Sequence, residues 1–185
     1  MSQIQRYSFI FTLSIFALSF VNISFGLLGL ICYFSPFYLF MIYKDKTFCK
    51  KYCPRASLLQ TIFSKIGLHK PIPKWLNNEN IKEFMIIYMG ANFLFALLST
   101  TMIYFGRIQP MAYMRLFMVI PTSFVFPQLI DLNLPPFLIH YSYRILSMMF
   151  SSILLGFVLG FIYAPRTWCV ICPVNTLSVP KRLKQ

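Results

Sequence analysis

Acidic side chains are nearly missing from this chain: four Asp and Glu stand in 185 residues, and charged residues of both signs make up only 11%. So few carboxylates leave nothing resembling a substrate pocket with acid–base residues, and three of the four (Asp45, Glu79, Glu83) fall in one basic stretch. Scarce charge beside 58% apolar or aromatic residues and a mean hydropathy of +0.67 excludes an ordinary water-soluble globule and a disordered tail alike. Low-complexity tracts and soluble-domain stretches are absent too. No small-x-small cleavage pattern follows Arg6, and the apolar run behind it is too long for a signal peptide. Without a secretory signal, the five cysteines read as thiols in a reducing compartment or as metal ligands, not as a disulfide framework.

What charge there is carries one sign: seventeen Lys and Arg give a net +13. Net charge alone would suggest nucleic acid, but the basic residues sit in short stretches between long uncharged runs, which is the pattern of membrane topology; no nucleic-acid partner is expected. Tyr7 to Tyr43 is 37 residues without a charge, too long for one span of about 20. Two joined helices at about 5–22 and 25–43 fit it, with Asn22, Ser24 and Gly26 supplying the turn. Residues 44–83 hold nine basic residues (Lys44, Lys46, Lys50, Lys51, Arg55, Lys65, Lys70, Lys74, Lys82) and form a cytoplasmic loop. Uncharged stretches at Phe84–Gly106 and Ile145–Tyr163 give spans at about 84–106 and 142–164, followed by Arg166 and a cytoplasmic tail, 165–185, with Lys181, Arg182 and Lys184. Between them, Arg107, Arg115, Asp131 and prolines at 110, 121, 127, 135 and 136 interrupt an apolar segment; a crossing there would put the basic C-terminus outside, so 107–138 is read as an interfacial connection. The expected fold is an all-α integral membrane protein of about four transmembrane helices, a single domain of two pseudo-repeated hairpins with both termini cytoplasmic.

Each hairpin ends in a cysteine pair followed by proline. The first reads Cys49-Lys50-Lys51-Tyr52-Cys53-Pro54-Arg55, a CxxxCP pattern, and the second Arg166-Thr167-Trp168-Cys169-Val170-Ile171-Cys172-Pro173, a CxxCP pattern. In the four-span layout both pairs reach the same membrane face, where four thiolates supply the ligands of a cubane iron–sulfur cluster or of a tetrahedral zinc site. Lys50, Lys51, Arg55 and Arg166 surround them with positive charge, which favours thiolate over thiol and offsets a thiolate-ligated cluster. Placement against a membrane favours iron–sulfur over zinc. The CxxC spacing of Cys169 and Cys172 also suits a dithiol–disulfide pair, although CxxxC and the lack of a thioredoxin-like unit do not.

Four spans with a CxxxCP motif after the second and a related CP motif after the fourth resemble the NapH/NosR-type membrane iron–sulfur proteins, a family of 4Fe-4S binding membrane proteins. The likeness covers nearly the whole chain and is most specific at Arg166-Thr167-Trp168-Cys169-x-x-Cys172-Pro173-Val174-x-Thr176-Leu177, which is similar to the family's RxWCxxxCPxGxL segment. The second motif has two residues between cysteines where larger members have three, and Asn175 stands where they have glycine. Those members continue into a ferredoxin-like module with CxxCxxCxxxCP runs, and no such run occurs in these 185 residues. The resemblance implies a 4Fe-4S cluster on Cys49, Cys53, Cys169 and Cys172 at the cytoplasmic face of a bacterial cytoplasmic (inner) membrane. It further implies an electron-transfer subunit, not a stand-alone enzyme, that takes electrons from a cytoplasmic donor and passes them to quinone or a partner membrane subunit.

Other residues carry plainer expectations. Cys32, near the middle of the second span, has no spaced partner and reads as a buried structural thiol. His69 and His140 read as ordinary polar residues, not metal or haem ligands. Arg144 reads as an interfacial anchor, with a quinone pocket framed by Tyr141 and Tyr143 as the alternative. Asn92 suits a helix–helix hydrogen bond, and Gly156 and Gly160 have the small-xxx-small spacing of close helix approach. Leu58, Leu59, Ile62, Phe63 and Ile66 recur at helical spacing before Gly67, which predicts an amphipathic helix on the inner membrane surface or a docking face for a redox partner. Trp75 and Pro71-Ile72-Pro73 close that segment.

Overall fold

The computed structural model describes residues 3–43, 48–68, 70–111, 113–117, 120–122, 129–130 and 134–177, with the backbone alone at 3–6, 50, 51 and 65. Lys44, Asp45, Lys46, His69, Pro127, Asp131, Lys181, Arg182 and Lys184, and the side chains of Arg6, Lys50, Lys51 and Lys65, lie outside the described residues.

The chain is mostly helical. Helix α1 (Gln3–Val21) stops at Asn22, whose backbone is extended (φ −152°, ψ 134°) and whose side-chain oxygen accepts the Ser24 N–H at 2.9 Å. That cap starts a 3-10 turn, Ile23–Leu28, which leads into α2 (Gly29–Tyr43). A π-helical turn, Phe48–Tyr52, precedes α3 (Pro54–Ile66), and a second 3-10 turn, Lys74–Asn77, precedes α4 (Glu79–Tyr104). Gly106, at φ +69°, ends α4 with bonds from Gly106 N–H to Ile103 O (2.9 Å) and from Arg107 N–H to Met102 O (3.0 Å), a Schellman cap that needs a residue without a Cβ. Strands β1 (Arg115–Leu116) and β2 (Ile120–Pro121) pair antiparallel, so a short ladder interrupts the otherwise helical fold. Helix α5 (Pro136–Ile162) begins on a proline, whose fixed φ suits the first turn, and α6 (Thr167–Ile171) and α7 (Pro173–Leu177) follow.

Among the described residues, three helices are long and apolar enough to cross a membrane: Ile23–Tyr43, Glu79–Tyr104 and Pro136–Ile162; Tyr7–Val21 is a shorter apolar one. Their large side chains face outward in number, Phe84, Ile87, Leu94, Phe95 and Leu98 on α4 among them, an apolar surface that water does not tolerate. Both later helices start before the uncharged stretches do, and the connection expected at 107–138 ends at Pro135 because Pro136 already opens α5.

Two compact units divide the chain. The first comprises Met1–Thr12, Cys32–Met89 and Ile153–Gln185. Its core joins Leu59 and Phe63 of α3 to Leu76, Trp168 and Ile171. Leu59 and Phe63 rest on the two small residues of α5: a Cβ at Gly156 would stand 2.9 Å from Leu59 Cδ1, and one at Gly160 would stand 3.0 Å from Phe63 Cδ2. The apolar face of α3 is thus largely covered by protein, where the sequence pattern suggested a membrane surface or a docking site. Only its end, Ile66, stays exposed.

The second unit comprises Leu13–Ile31 and Gly90–Ser152, with a core of Ile23, Met111, Met114, Tyr143 and Leu146. Here the segment after α4 is docked by its backbone on one face of α5. Met111 N–H donates to His140 Nδ1 (3.1 Å), Arg115 N–H to Ser147 Oγ (3.1 Å) and Phe117 N–H to Ser151 Oγ (2.9 Å). At about 1.5 Å per residue, Ser147 and Ser151 lie roughly 16 and 22 Å along α5 from Pro136. The segment therefore follows α5 along its length, with these amides bonded to protein.

Substitution of Gly156 or Gly160 by Val is expected to lower stability by about 1–3 kcal/mol through overpacking against Leu59 or Phe63. Gly90→Ala, with nothing within 4 Å of its added carbon, should leave stability unchanged or slightly raised. Thermal unfolding in detergent checks both.

Candidate functional site

The two cysteine pairs have the same backbone device. Proline forbids helical geometry in the residue before it and welcomes it in the residue after. Cys53 accordingly stands at φ −60°, ψ 111° and Cys172 at φ −63°, ψ 124°, each immediately before a helix opened by its proline. Cys53 O accepts Ser57 N–H at 3.2 Å and Cys172 O accepts Thr176 N–H at 3.1 Å, the first bond of α3 and of α7. The pairs differ by one residue, and the turn before each absorbs it. The longer motif winds as a π-turn, with Cys53 N–H on Phe48 O at 2.9 Å, while the shorter one lies on the single α-turn of α6. Thr167 anchors that turn, its hydroxyl donating to Ala164 O at 2.8 Å and accepting Ala164 N–H at 3.0 Å.

All four cysteines line one cavity of about 40 Å³ in the first unit, with Phe48, Pro54, Ala56, Trp168 and Val174 as its apolar wall. Two further residues line it. Cys32, read as a buried structural thiol, brings a fifth sulfur from α2, and Arg55, read as a positive neighbour of the first pair, sits in the wall with its guanidinium carbon 5.1 Å from the Tyr33 ring centroid. Asn175, in the position where the resembled family has glycine, donates Nδ2–H to Cys169 O at 2.7 Å. No disulfide joins the five cysteines. Among the described residues, no three His, Cys, Asp or Glu side chains close on a point as ligands of a single ion.

Burial governs the thiols' acidity, contrary to the expectation that their basic neighbours would favour thiolate. Desolvation pushes Cys169 from 9.0 up to about 12, Cys53, Cys172 and Cys49 add to the rise, and Arg166 opposes it least. Arg166 is exposed and occupied, donating Nε–H to Gln60 Oε1 at 2.7 Å. Cys53 is also raised, first by desolvation; the amides of Ala56 and Arg55 and the Arg55 charge pull the other way without closing a capping hydrogen bond.

The remaining candidates are engaged in structure. His140 accepts Met111 N–H at Nδ1, so its neutral ring carries the proton on Nε2 and donates it to Ser99 Oγ at 3.0 Å, while that hydroxyl donates to Ala96 O. Arg144 lies beside it, and Tyr143 is fully buried in the second unit's core. Tyr143 therefore does not frame an open pocket. Asn92 is buried on α4.

No protein-family model, curated protein or solved structure matches the chain.

The donor chemistry of the cavity suits a thiolate-ligated metal group. Four cysteines face one apolar space, and protonated thiols must give up protons when such a group binds. The neutral Cys169 thiol stabilises the fold below pH 9, and that contribution is lost as the pH rises through about 12. Alkylation of Cys169 is expected to be slow at pH 8 relative to an exposed thiol and to accelerate only as the pH approaches 12. Peptide mapping after iodoacetamide pulses at stepped pH measures this; modification of Cys169 at the rate of a free thiol near pH 8 contradicts it.

Proposed function

We propose that this protein is a membrane iron–sulfur electron-transfer protein, in which Cys49, Cys53, Cys169 and Cys172 hold one 4Fe-4S cluster at the cytoplasmic face. The observation that carries the reading is that two sequence-distant Cys-Pro pairs, alike in backbone geometry, line a single cavity. A bound cluster would supply one-electron chemistry. The chain's own residues supply the rest. Prolines 54 and 173 fix the two cysteines that precede them, and Phe48, Trp168 and Val174 keep the wall apolar. Asn175 holds the Cys169 carbonyl, and Arg55 provides positive charge. The proposed layout counts α1 as a fourth span beside the three longer helices, with both termini and the 44–83 loop cytoplasmic, following the basic residues. A cytoplasmic donor and a membrane acceptor, quinone or a partner subunit, complete the proposed path.

A structural zinc ion takes the same four thiolates, and the resemblance of the Cys-Pro motifs to those of membrane iron–sulfur proteins favours the cluster. Dithiol–disulfide cycling needs an attacking thiolate, and Cys169, at about 12, is a poor one at neutral pH.

Anaerobic purification in detergent followed by iron and acid-labile sulfide analysis is the test, beside a Cys49→Ser/Cys172→Ser variant. About four irons and four sulfides per chain, lost in the variant, are expected. Folded protein without iron but with stoichiometric zinc would replace the cluster by a structural ion, and protein with neither would overturn metal binding altogether.

A further inference from the structure

Arg55 is unusual among the cationic side chains of this chain. It follows Cys53-Pro54 directly, so the helix start that fixes Cys53 also fixes Arg55 in the first turn of α3. It is partly buried, lines the thiol cavity and is held over the Tyr33 ring at 5.1 Å. Cys32, Cys53 and Cys172 line the same cavity as Arg55. An arginine so placed keeps its charge at every working pH. Arg166, the other described cation beside the cysteines, is exposed and bonded to Gln60, where solvent screens it.

We propose that Arg55, clamped against Tyr33, is the positioning cation that sets the reduction potential of the cysteine-lined site. The inference rests on the electron-transfer reading above and adds the residue that tunes it. One-electron reduction adds a negative charge to a space with an apolar wall, and a fixed guanidinium in that wall favours the reduced state over the oxidised one. Tyr33 contributes by orientation. Its ring holds the guanidinium in place.

The test uses the full chain, purified anaerobically, with iron content measured first and the midpoint potential then read by a redox titration followed by electron paramagnetic resonance. Arg55→Met is expected to retain iron and to lower the reduced-to-oxidised ratio at a given potential about tenfold, a negative shift of about 59 mV for one electron. Arg55→Lys, which keeps the charge, and Tyr33→Leu, which keeps the charge but frees it, should shift less in the same direction. Arg166→Met should leave the potential unchanged. If Arg55→Met loses iron, retention of iron by Arg55→Lys near the native potential supports the assignment, and loss of iron from both overturns it. An unchanged potential in iron-replete Arg55→Met, or an equal shift in Arg166→Met, overturns the role of Arg55 and leaves the cluster standing. Native protein without iron overturns both.

Discussion

The seat of Leu59 and Phe63 on Gly156 and Gly160 is the contact on which the first unit depends. It brings α3 against α5 at a distance that only a residue without a Cβ allows, and α3 opens at Pro54, one residue after Cys53. Because α5 leads through a short turn into α6, the same contact positions the first Cys-Pro motif beside the second. Trp168 and Ile171 complete the arrangement by entering the core that Leu59 and Phe63 form. A packing interface of four residues thereby controls whether two cysteine pairs, more than a hundred residues apart, can act as one set.

Within that set, the balance of electrostatic terms runs against intuition from charge counting. A protein at +13 would be expected to hold its thiols as thiolates, yet burial and the mutual repulsion of neighbouring sulfurs outweigh the nearby cations at Cys169, and burial alone leads the rise at Cys53. Desolvation penalises any charge in the cavity, whereas Arg166, the nearby cation, is exposed, where its field is screened. Arg55 escapes this limit because it shares the thiols' own environment. A thiol that burial keeps neutral is a poor nucleophile and resists adventitious oxidation.

Much of this was legible in the sequence where local chemistry decides. The uncharged runs mark helices, Asn22 marks the cap between the first two, and the repeated Cys-Pro marks two equivalent turns. The helical spacing of Leu58, Leu59, Ile62 and Phe63 identifies a buried face, but periodicity says nothing of what covers it, and the cover is protein. Cys32 was legible as a buried thiol and Arg55 as a charge beside the first cysteine pair, but that both line one cavity with the second pair is a tertiary fact. The segment after α4 looked interfacial because prolines and arginines interrupt it. Its partners, His140, Ser147 and Ser151, are ordinary residues on a helix, and their common face carries no pattern of hydrophobicity to betray a docked backbone.

The two units dispose of buried polar groups in opposite ways, and this locates the chemistry. In the second, His140 is saturated by Met111 and Ser99, Asn22 by Ser24 and the Ile130 carbonyl, and Ser147 and Ser151 each accept one backbone amide while donating to their own helix. Groups so engaged are rigid and cannot exchange partners without exposing another group to an apolar surrounding, which costs about 1–3 kcal/mol each. Arg115 Nε and the Ser24 hydroxyl are the exceptions there. The first unit instead gathers five sulfurs, a guanidinium and the Tyr33 ring in and beside one small cavity. Sulfur tolerates burial as a neutral thiol far better than oxygen or nitrogen tolerates it unbonded, so the fold can hold these ligands in reserve at little cost. Cysteine therefore lets the first unit gather polarisable groups around one small cavity, while the second binds its buried polar groups in hydrogen bonds.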